Sequence, residues 1–158
     1  MILLLTGCGA FNGYSNDPLF TPDVQTIYVE MFENNSFYRG VEYHFSDAVA
    51  KKIEAETPYK IVSDRNKADS IIGGKLVEVQ KGLLTSERET GRALESDITL
   101  QVVVNWKNLK TGQLLLDNQT ITASASFSEW QGQSFEYGST LAANKLANRV
   151  VQSMAVDW

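Results

Sequence analysis

The sequence predicts an α+β two-layer sandwich, in which one mostly antiparallel sheet of four to five strands packs against two helices. Two kinds of pattern lead to this prediction. Apolar residues alternate in 24–32 and 95–106, as in strands that bury one face, whereas 39–56 and 139–156 repeat with a helical period. Each amphipathic element needs an apolar partner, so one sheet covered by two helices is the most economical packing.

The first half of the chain predicts a tether followed by a strand, a helix and a strand. Residues 8–23 are rich in Gly, Asn, Ser and Pro, which is typical of a tether, and the domain is expected over 24–158. After the strand at 24–32, the run Glu33-Asn34-Asn35-Ser36 predicts a turn. The helix at 39–56 ends at Thr57-Pro58, and a short strand follows at 59–62.

The second half predicts three longer strands and a closing helix, which completes a β-α-β-β-β-β-α order. In the strand at 71–82, Gly73-Gly74 indicates a bulge or a close approach of two backbones. The strand at 95–106 is joined through a polar hairpin turn to a strand at 114–127, which is weakened or bulged near Asp117-Asn118. The last helix covers 139–156, and Trp158 lies just beyond it.

The composition fits one domain and excludes several classes of protein. The chain has 158 residues, 43% of them hydrophobic, and a net charge of −5; one core normally serves about 100–200 residues. The acidic balance argues against a nucleic-acid partner, since phosphate binding needs a dense basic surface. One cysteine and one histidine exclude an internal disulfide and argue against a His/Cys metal site. We therefore expect no metal, no bound cofactor and no nucleic acid.

The first eight residues resemble the end of a bacterial lipoprotein signal peptide. The apolar run leads into Leu5-Thr6-Gly7-Cys8, which matches a lipobox of Leu, two small residues and the lipidated cysteine. This resemblance implies that residues 1–7 are the remnant of a signal peptide and that Cys8 carries a covalent lipid. Gly9, rather than Asp, follows the cysteine, which by analogy favours the periplasmic face of the outer membrane. The alternative is an unmodified cysteine in a disordered tail.

The sequence offers no set of groups that would make an enzyme. His44 is the single histidine and lies within the first helix, without a partner cysteine or second histidine. No serine stands in a Gly-x-Ser-x-Gly motif, and no nucleophile, base and orienting group can be assembled. We expect no catalysis; the alternative, a periplasmic enzyme with paired carboxylates on facing strands, would leave no trace in the sequence.

A ligand site is predicted in the segment 81–95, which joins two strands. Its cations are Lys81, Arg88 and Arg92, and they alternate with three leucines and three glutamates. Cations beside apolar side chains suit an amphipathic anionic lipid, although a solvated hairpin tip would have the same composition. Of the three tryptophans, Trp130 stands in a Gln/Ser/Gly-rich loop and is the best candidate for an exposed interface anchor, although packing is the more common role.

The whole chain resembles the family of lipopolysaccharide (LPS) assembly lipoproteins, the LptE family. The resemblance is carried by Leu5–Gly9, by the opening Val24–Asn35, by Ala68–Gly74 and by the closing helix that ends in Asp157-Trp158. It implies an outer-membrane lipoprotein without catalytic activity, which plugs and helps to assemble the β-barrel LPS translocon (LptD) and contacts LPS. Other periplasmic lipoproteins share this opening and topology, so a scaffold or adaptor of another envelope complex is the alternative.

Overall fold

The computed structural model describes residues 19–155, and it confirms the predicted α+β sandwich with one sheet and two helices. The signal-peptide remnant at 1–7, the tether as far as residue 18 with Cys8, and Trp158 lie outside the described residues. No helix within the described part of the chain combines the length and apolar character needed to cross a bilayer.

The strands are β1 (Thr26–Val29), β2 (Glu33–Asn34), β3 (Lys60–Ile61), β4 (Ser70–Ser86), β5 (Ala93–Asn108) and β6 (Leu114–Ser128). The helices are α1 (Val41–Glu56) and α2 (Phe135–Met154).

The strands form one mixed sheet in the order β3-β1-β4-β5-β6, and β2 pairs with β4 beside β1. The three long strands β4, β5 and β6 are antiparallel neighbours joined by hairpins. The short strands β1, β2 and β3 all pair in parallel, because α1 crosses from β1 and β2 back to β3. The antiparallel part predicted from sequence is therefore the larger part of the sheet, with a parallel edge added to it.

Both helices cover the same face of the sheet and enclose the core. Alternate residues of β5 are fully or almost fully buried, and α2 presents a stripe of small and branched side chains to them. The buried positions of β5 are Ile98, Leu100, Val102, Val104 and Trp106, and those of α2 include Ala142, Ala143, Leu146, Ala147 and Val150. The opposite face of β5 and β6 carries mainly Thr, Ser, Gln and Asn.

The predicted close approach at the glycine pair is confirmed. A Cβ atom on Gly74 would lie 2.0 Å from the carbonyl oxygen of Val103 on β5, which is far inside van der Waals contact. The predicted bulge of β6 near Asp117-Asn118 is also confirmed. The pairing with β5 shifts register at this point, and Asn118 has a φ of 47°. Glycine and asparagine are used where the backbone geometry requires them.

Several bounds differ from the sequence prediction. β4 continues to Ser86 and β5 begins at Ala93, so most of the segment 81–95 is strand. The residues Glu33 and Asn34 form β2 rather than a turn, and they pair with Lys75 and Leu76 of β4. The helix α2 begins at Phe135 rather than Ser139, because the side chain of Ser134 accepts a hydrogen bond from Tyr137 N at 3.2 Å and caps the first turn.

The free edge of β6 is covered by side chains of α2. Lys145 Nζ donates to the carbonyl oxygen of Ser124 at 3.2 Å, and the Arg149 guanidinium donates to the carbonyl oxygen of Thr122. Unpaired carbonyl groups on an edge strand invite pairing with another chain. These two cations therefore protect this edge of the sheet.

Candidate functional site

The β4–β5 hairpin ends in an ordered turn. Glu87 N donates to the carbonyl oxygen of Arg92, and Gly91 N donates to the carbonyl oxygen of Glu87, both at 2.8 Å. Gly91 has a φ of 68°, and the Thr90 hydroxyl donates to the Glu87 carboxylate. We call residues 81–96, together with the 3₁₀ turn Glu129–Gln131 that follows β6, the hairpin end.

Lys81 lies on the helix-facing side of β4 and is held by Glu129. Lys81 Nζ is 2.7 Å from Glu129 Oε1 and 5.6 Å from the centre of the Phe127 ring. Ser96 Oγ donates to the same carboxylate oxygen at 3.0 Å. The hydrogen bonds from Lys81 and then from Ser96 lower the pKa of Glu129, so its charge neutralises that of Lys81.

Arg92 lies over the ring of Trp130. The guanidinium carbon is 5.8 Å from the ring centre, which is within the range of a cation–π interaction. The Trp130 side chain is 64% exposed, whereas Trp106 is 2% exposed and donates its indole N–H to Ser70 Oγ at 3.0 Å. The two tryptophans therefore have different roles, and Trp130 is the exposed one.

A cavity of about 560 Å³ opens beside Trp130. It lies between the end of the hairpin and the 3₁₀ turn, and Leu94, Trp130 and Gln131 form part of its wall. Leu83 and Leu84 on the neighbouring strand are 60% and 54% exposed. The hairpin end thus combines an open cavity, exposed apolar side chains and cations.

The structure places the three predicted ligand-binding cations in different surroundings. Lys81 and Arg92 converge on the adjacent residues Glu129 and Trp130. Arg88 lies in the exposed turn, and within the described part of the chain it forms no ion pair shorter than 4.0 Å. Arg88 and Arg92 are thus the cations of this segment whose charge is available to a ligand.

Two cavities of the described residues are each lined by two carboxylates, of which at least one has a partner. A groove of about 600 Å³ on the uncovered face of the sheet contains Glu30 and Glu33, but Glu30 forms an ion pair with Arg65 at 3.2 Å. The cavity at the hairpin end contains Glu87 and Glu95, and Glu87 accepts the Thr90 hydroxyl. Neither cavity therefore holds two carboxylates that are both free of partners. His44 is exposed on α1.

The described residues also contain no cluster of three or more His, Cys, Asp or Glu side chains that could hold a metal ion.

Two features of this end of the molecule were not found from the sequence. Glu129 follows Lys81 by 48 residues, so the pair is visible only once β4 and β6 are placed on either side of β5. Phe37, in the loop before α1, is fully exposed, and two adjacent aromatic residues in a short loop give no periodic signal.

Comparisons with known proteins identify the family. The family model described as LptE, lipopolysaccharide-assembly, matches residues 24–157. No curated protein matches the chain.

Several solved structures share the fold at low sequence identity. They include protein XCC0632 from Xanthomonas campestris, with a TM-score of 0.57, 14% identity, and coverage of 86% of this chain and 87% of the other. An uncharacterized lipoprotein B from Nitrosomonas europaea has a TM-score of 0.53, 15% identity, and coverage of 82% and 81%. PelC from Paraburkholderia phytofirmans, a dodecamer, has a TM-score of 0.54, 11% identity, and coverage of 87% and 93%. These structures confirm the fold, and the match over residues 24–157 shows that the chain belongs to the LptE family of lipopolysaccharide-assembly proteins.

Proposed function

We propose that the protein is an outer-membrane lipoprotein that acts as plug and assembly partner of the β-barrel LPS translocon. Its membership of the lipopolysaccharide-assembly family supports this role. The observation that carries the proposal within the structure is the hairpin end, where Arg92 lies over an exposed Trp130 beside an open cavity. Such a surface suits binding to a partner or an amphipathic ligand, and it contains no catalytic set.

The domain has the properties that a plug requires. The interior of a large outer-membrane barrel is polar and filled with water, so a plug must be a folded domain with a polar surface. The sheet here is covered by helices on one face only, and the uncovered face of β5 and β6 carries mainly polar side chains. We infer that this face can lie against the wet lumen of a barrel without further burial.

The proposed membrane anchor is the lipid on Cys8. Each buried CH₂ group contributes about 0.8 kcal/mol, and stable attachment needs at least two acyl chains. A triacylated cysteine would therefore hold the domain permanently at the periplasmic face of the outer membrane. The protein would need no other cofactor.

We further propose that LPS contacts the hairpin end. The phosphate groups of LPS would bind Arg88 and Arg92, and its acyl chains would lie near Leu83, Leu84 and Trp130, which are exposed. Lys81 belongs to the predicted set of cations, but Glu129 neutralises its charge. Its contribution to LPS binding is therefore expected to be the smallest of the three. The proposed site is thus amphipathic, like the ligand.

Affinity purification tests the partnership. The tagged protein, isolated from detergent-solubilised outer membranes, is expected to bring with it the β-barrel of the LPS translocon. A preparation that contains other envelope proteins but not this barrel would contradict the proposal.

The second candidate is a lipid-anchored scaffold or adaptor of another envelope complex, either secretory or linked to peptidoglycan. PelC, which shares the fold, is described as a dodecamer. This candidate predicts that the purified protein assembles into an oligomer of its own copies, whereas a plug of one barrel is expected to be monomeric. Sedimentation of the purified full-length chain in detergent separates the two.

A further inference from the structure

The loop between β2 and α1, residues 35–40, exposes one aromatic side chain completely; we call it the Phe37 loop. The Phe37 side chain is 103% exposed, whereas the next most exposed large apolar side chain in the described part of the chain, Trp130, reaches 64%. Burying a phenylalanine stabilises a protein by about 1.5–3 kcal/mol, so a fully exposed one gives up that stabilisation.

The Phe37 loop is held in place by side-chain hydrogen bonds on both sides of Phe37. Asn34 Oδ1 accepts from Ser36 N at 2.8 Å, and Asn34 Nδ2 donates to the carbonyl oxygen of Tyr38 at 2.7 Å. Asn34 Nδ2 also donates to Glu42 Oε2 at 2.6 Å, and the same oxygen accepts from Gly40 N at 2.9 Å. One asparagine and one glutamate therefore fix both ends of the loop.

Stacking onto α2 adds a further constraint. The Tyr38 ring lies 4.6 Å from the Phe135 ring with an interplanar angle of 19°, which attaches the loop to the first turn of α2. Gly40 closes the loop with a φ of 93° and stands at the N-cap of α1. Phe37 thus lies at the tip of an ordered loop. A pre-organised loop binds a partner with a smaller loss of conformational entropy.

The residues around Phe37 favour a protein as the occupant rather than a lipid surface. Tyr38, Arg39 and Tyr43 surround it in sequence, and Tyr and Arg are enriched in the energetically dominant positions of protein interfaces. The nearby acidic residues are Glu33, Glu42 and Glu136, the last in the first turn of α2; the nearby cations are Arg39 and Lys75, which pairs with Glu33 in register. This net negative charge repels anionic lipid headgroups.

From these observations we propose that Phe37 anchors the protein in an apolar pocket, rimmed by basic side chains, on its β-barrel partner. The proposal rests on the proposed function for the identity of the partner, and it adds the place at which this partner docks. The Phe37 loop lies at the same end of the domain as the hairpin end, since Phe135 begins the helix that follows Glu129–Gln131.

The test is retrieval of the barrel by tagged full-length variants from detergent-solubilised outer membranes. Phe37→Ala is expected to lower the recovery of the barrel at least tenfold, and Phe37→Leu is expected to restore most of it. The matched control is Leu109→Ala, which truncates a 37% exposed side chain in the turn between β5 and β6, away from the hairpin end, and should leave recovery unchanged. The thermal unfolding midpoint of Phe37→Ala should equal that of the unsubstituted protein, because Phe37 is fully exposed.

The outcomes that overturn the proposal are distinct. If Phe37→Ala retrieves as much barrel as Leu109→Ala, Phe37 is not the anchor, while the proposed function stands. If the unsubstituted protein retrieves no barrel, both proposals fail. If the Cys8→Ser chain binds vesicles that contain phosphatidylglycerol, and Phe37→Ala abolishes this binding, the occupant of the Phe37 loop is a lipid surface rather than a protein. If the protein forms an oligomer that Phe37→Ala dissociates, the occupant is a second copy of this chain.

Discussion

Arg92, which precedes β5, and Trp130, which follows β6, form a cation–π pair with 5.8 Å between the guanidinium carbon and the ring centre. The pair stands at the end of a long hairpin, beside a cavity, where both groups are open to solvent. It joins a charge with an apolar surface at one point. An amphipathic anion requires this combination of a cation and an apolar surface.

Loss of the two available cations should weaken LPS binding without unfolding the domain. We expect the double substitution Arg88→Ala and Arg92→Ala to reduce the affinity of the purified chain for LPS at least tenfold, because charge-assisted contacts to phosphate are lost. Lys51→Ala with Lys52→Ala on α1 removes the same charge away from the hairpin end and is the control. Equal affinities of the two double variants would show that the hairpin end is not the LPS site.

Asp69 should contribute a pH-dependent part of the stability. Asp69 Oδ1 lies 2.7 Å from Lys110 Nζ, and Asp69 Oδ2 accepts Gln25 N at 2.9 Å. The hydrogen bond from Lys110, and then that from Gln25, lower the pKa of Asp69 to about 2. A lowered folded pKa stabilises the protein above the unfolded value of about 4, and this contribution is lost as the pH falls towards 2.

Urea unfolding measures this pH-dependent contribution of Asp69 to stability. Asp69→Asn should lower the free energy of unfolding by about 1–2 kcal/mol at pH 7, and the difference should shrink between pH 4 and pH 2. Asp47→Asn, which removes an exposed pair with Lys51, should change it by less than about 0.5 kcal/mol. A deficit for Asp69→Asn that is constant down to pH 2 would contradict the assignment.

The close approach at Gly74 should make this position intolerant of any side chain. In Gly74→Ala, the new Cβ would meet the Val103 carbonyl oxygen, so β4 and β5 must separate, and we expect a loss of about 3 kcal/mol in the free energy of unfolding. Gly112→Ala is the control: it has a φ of 76° but no atom within 4 Å, so only backbone strain of about 1 kcal/mol is expected. Equal losses would indicate that the two backbones can move apart freely.

Cys8→Ser tests the anchor. We expect the variant to move from the membrane fraction to the soluble periplasmic fraction, because without the thiol no diacylglyceryl group can be attached. The folded domain should be unaffected, which circular dichroism of both proteins can show. Membrane fractionation that is identical for the two proteins would exclude acylation at this residue.

The local features of the fold could be predicted, because short patterns of residues in the sequence determine them. Alternation in β5 and the helical stripe of α2 gave the layers, and the adjacent glycines at 73–74 gave the close approach to Val103. The two-residue strand β2 was missed, since Glu33 and Asn34 are too few to show a period and their partners Lys75 and Leu76 are distant in sequence.

The candidate site was predictable in composition but not in geometry. The sequence located the cations Lys81, Arg88 and Arg92, but it could not show that Glu129 neutralises the first, since that contact depends on the pairing of three strands. The exposure of Trp130, in contrast, agrees with its interpretation from sequence as the candidate for an exposed anchor. Side-chain partners distant in sequence appear only in the folded chain.

The amount of LPS at the cell surface after depletion of the protein in its native cell decides whether the protein acts in LPS transport. If the protein is the lipoprotein partner of the translocon, newly made LPS should fail to reach the outer leaflet and should accumulate behind the outer membrane, and re-expression of the unsubstituted chain should restore it. Normal surface LPS in fully depleted cells would contradict the account.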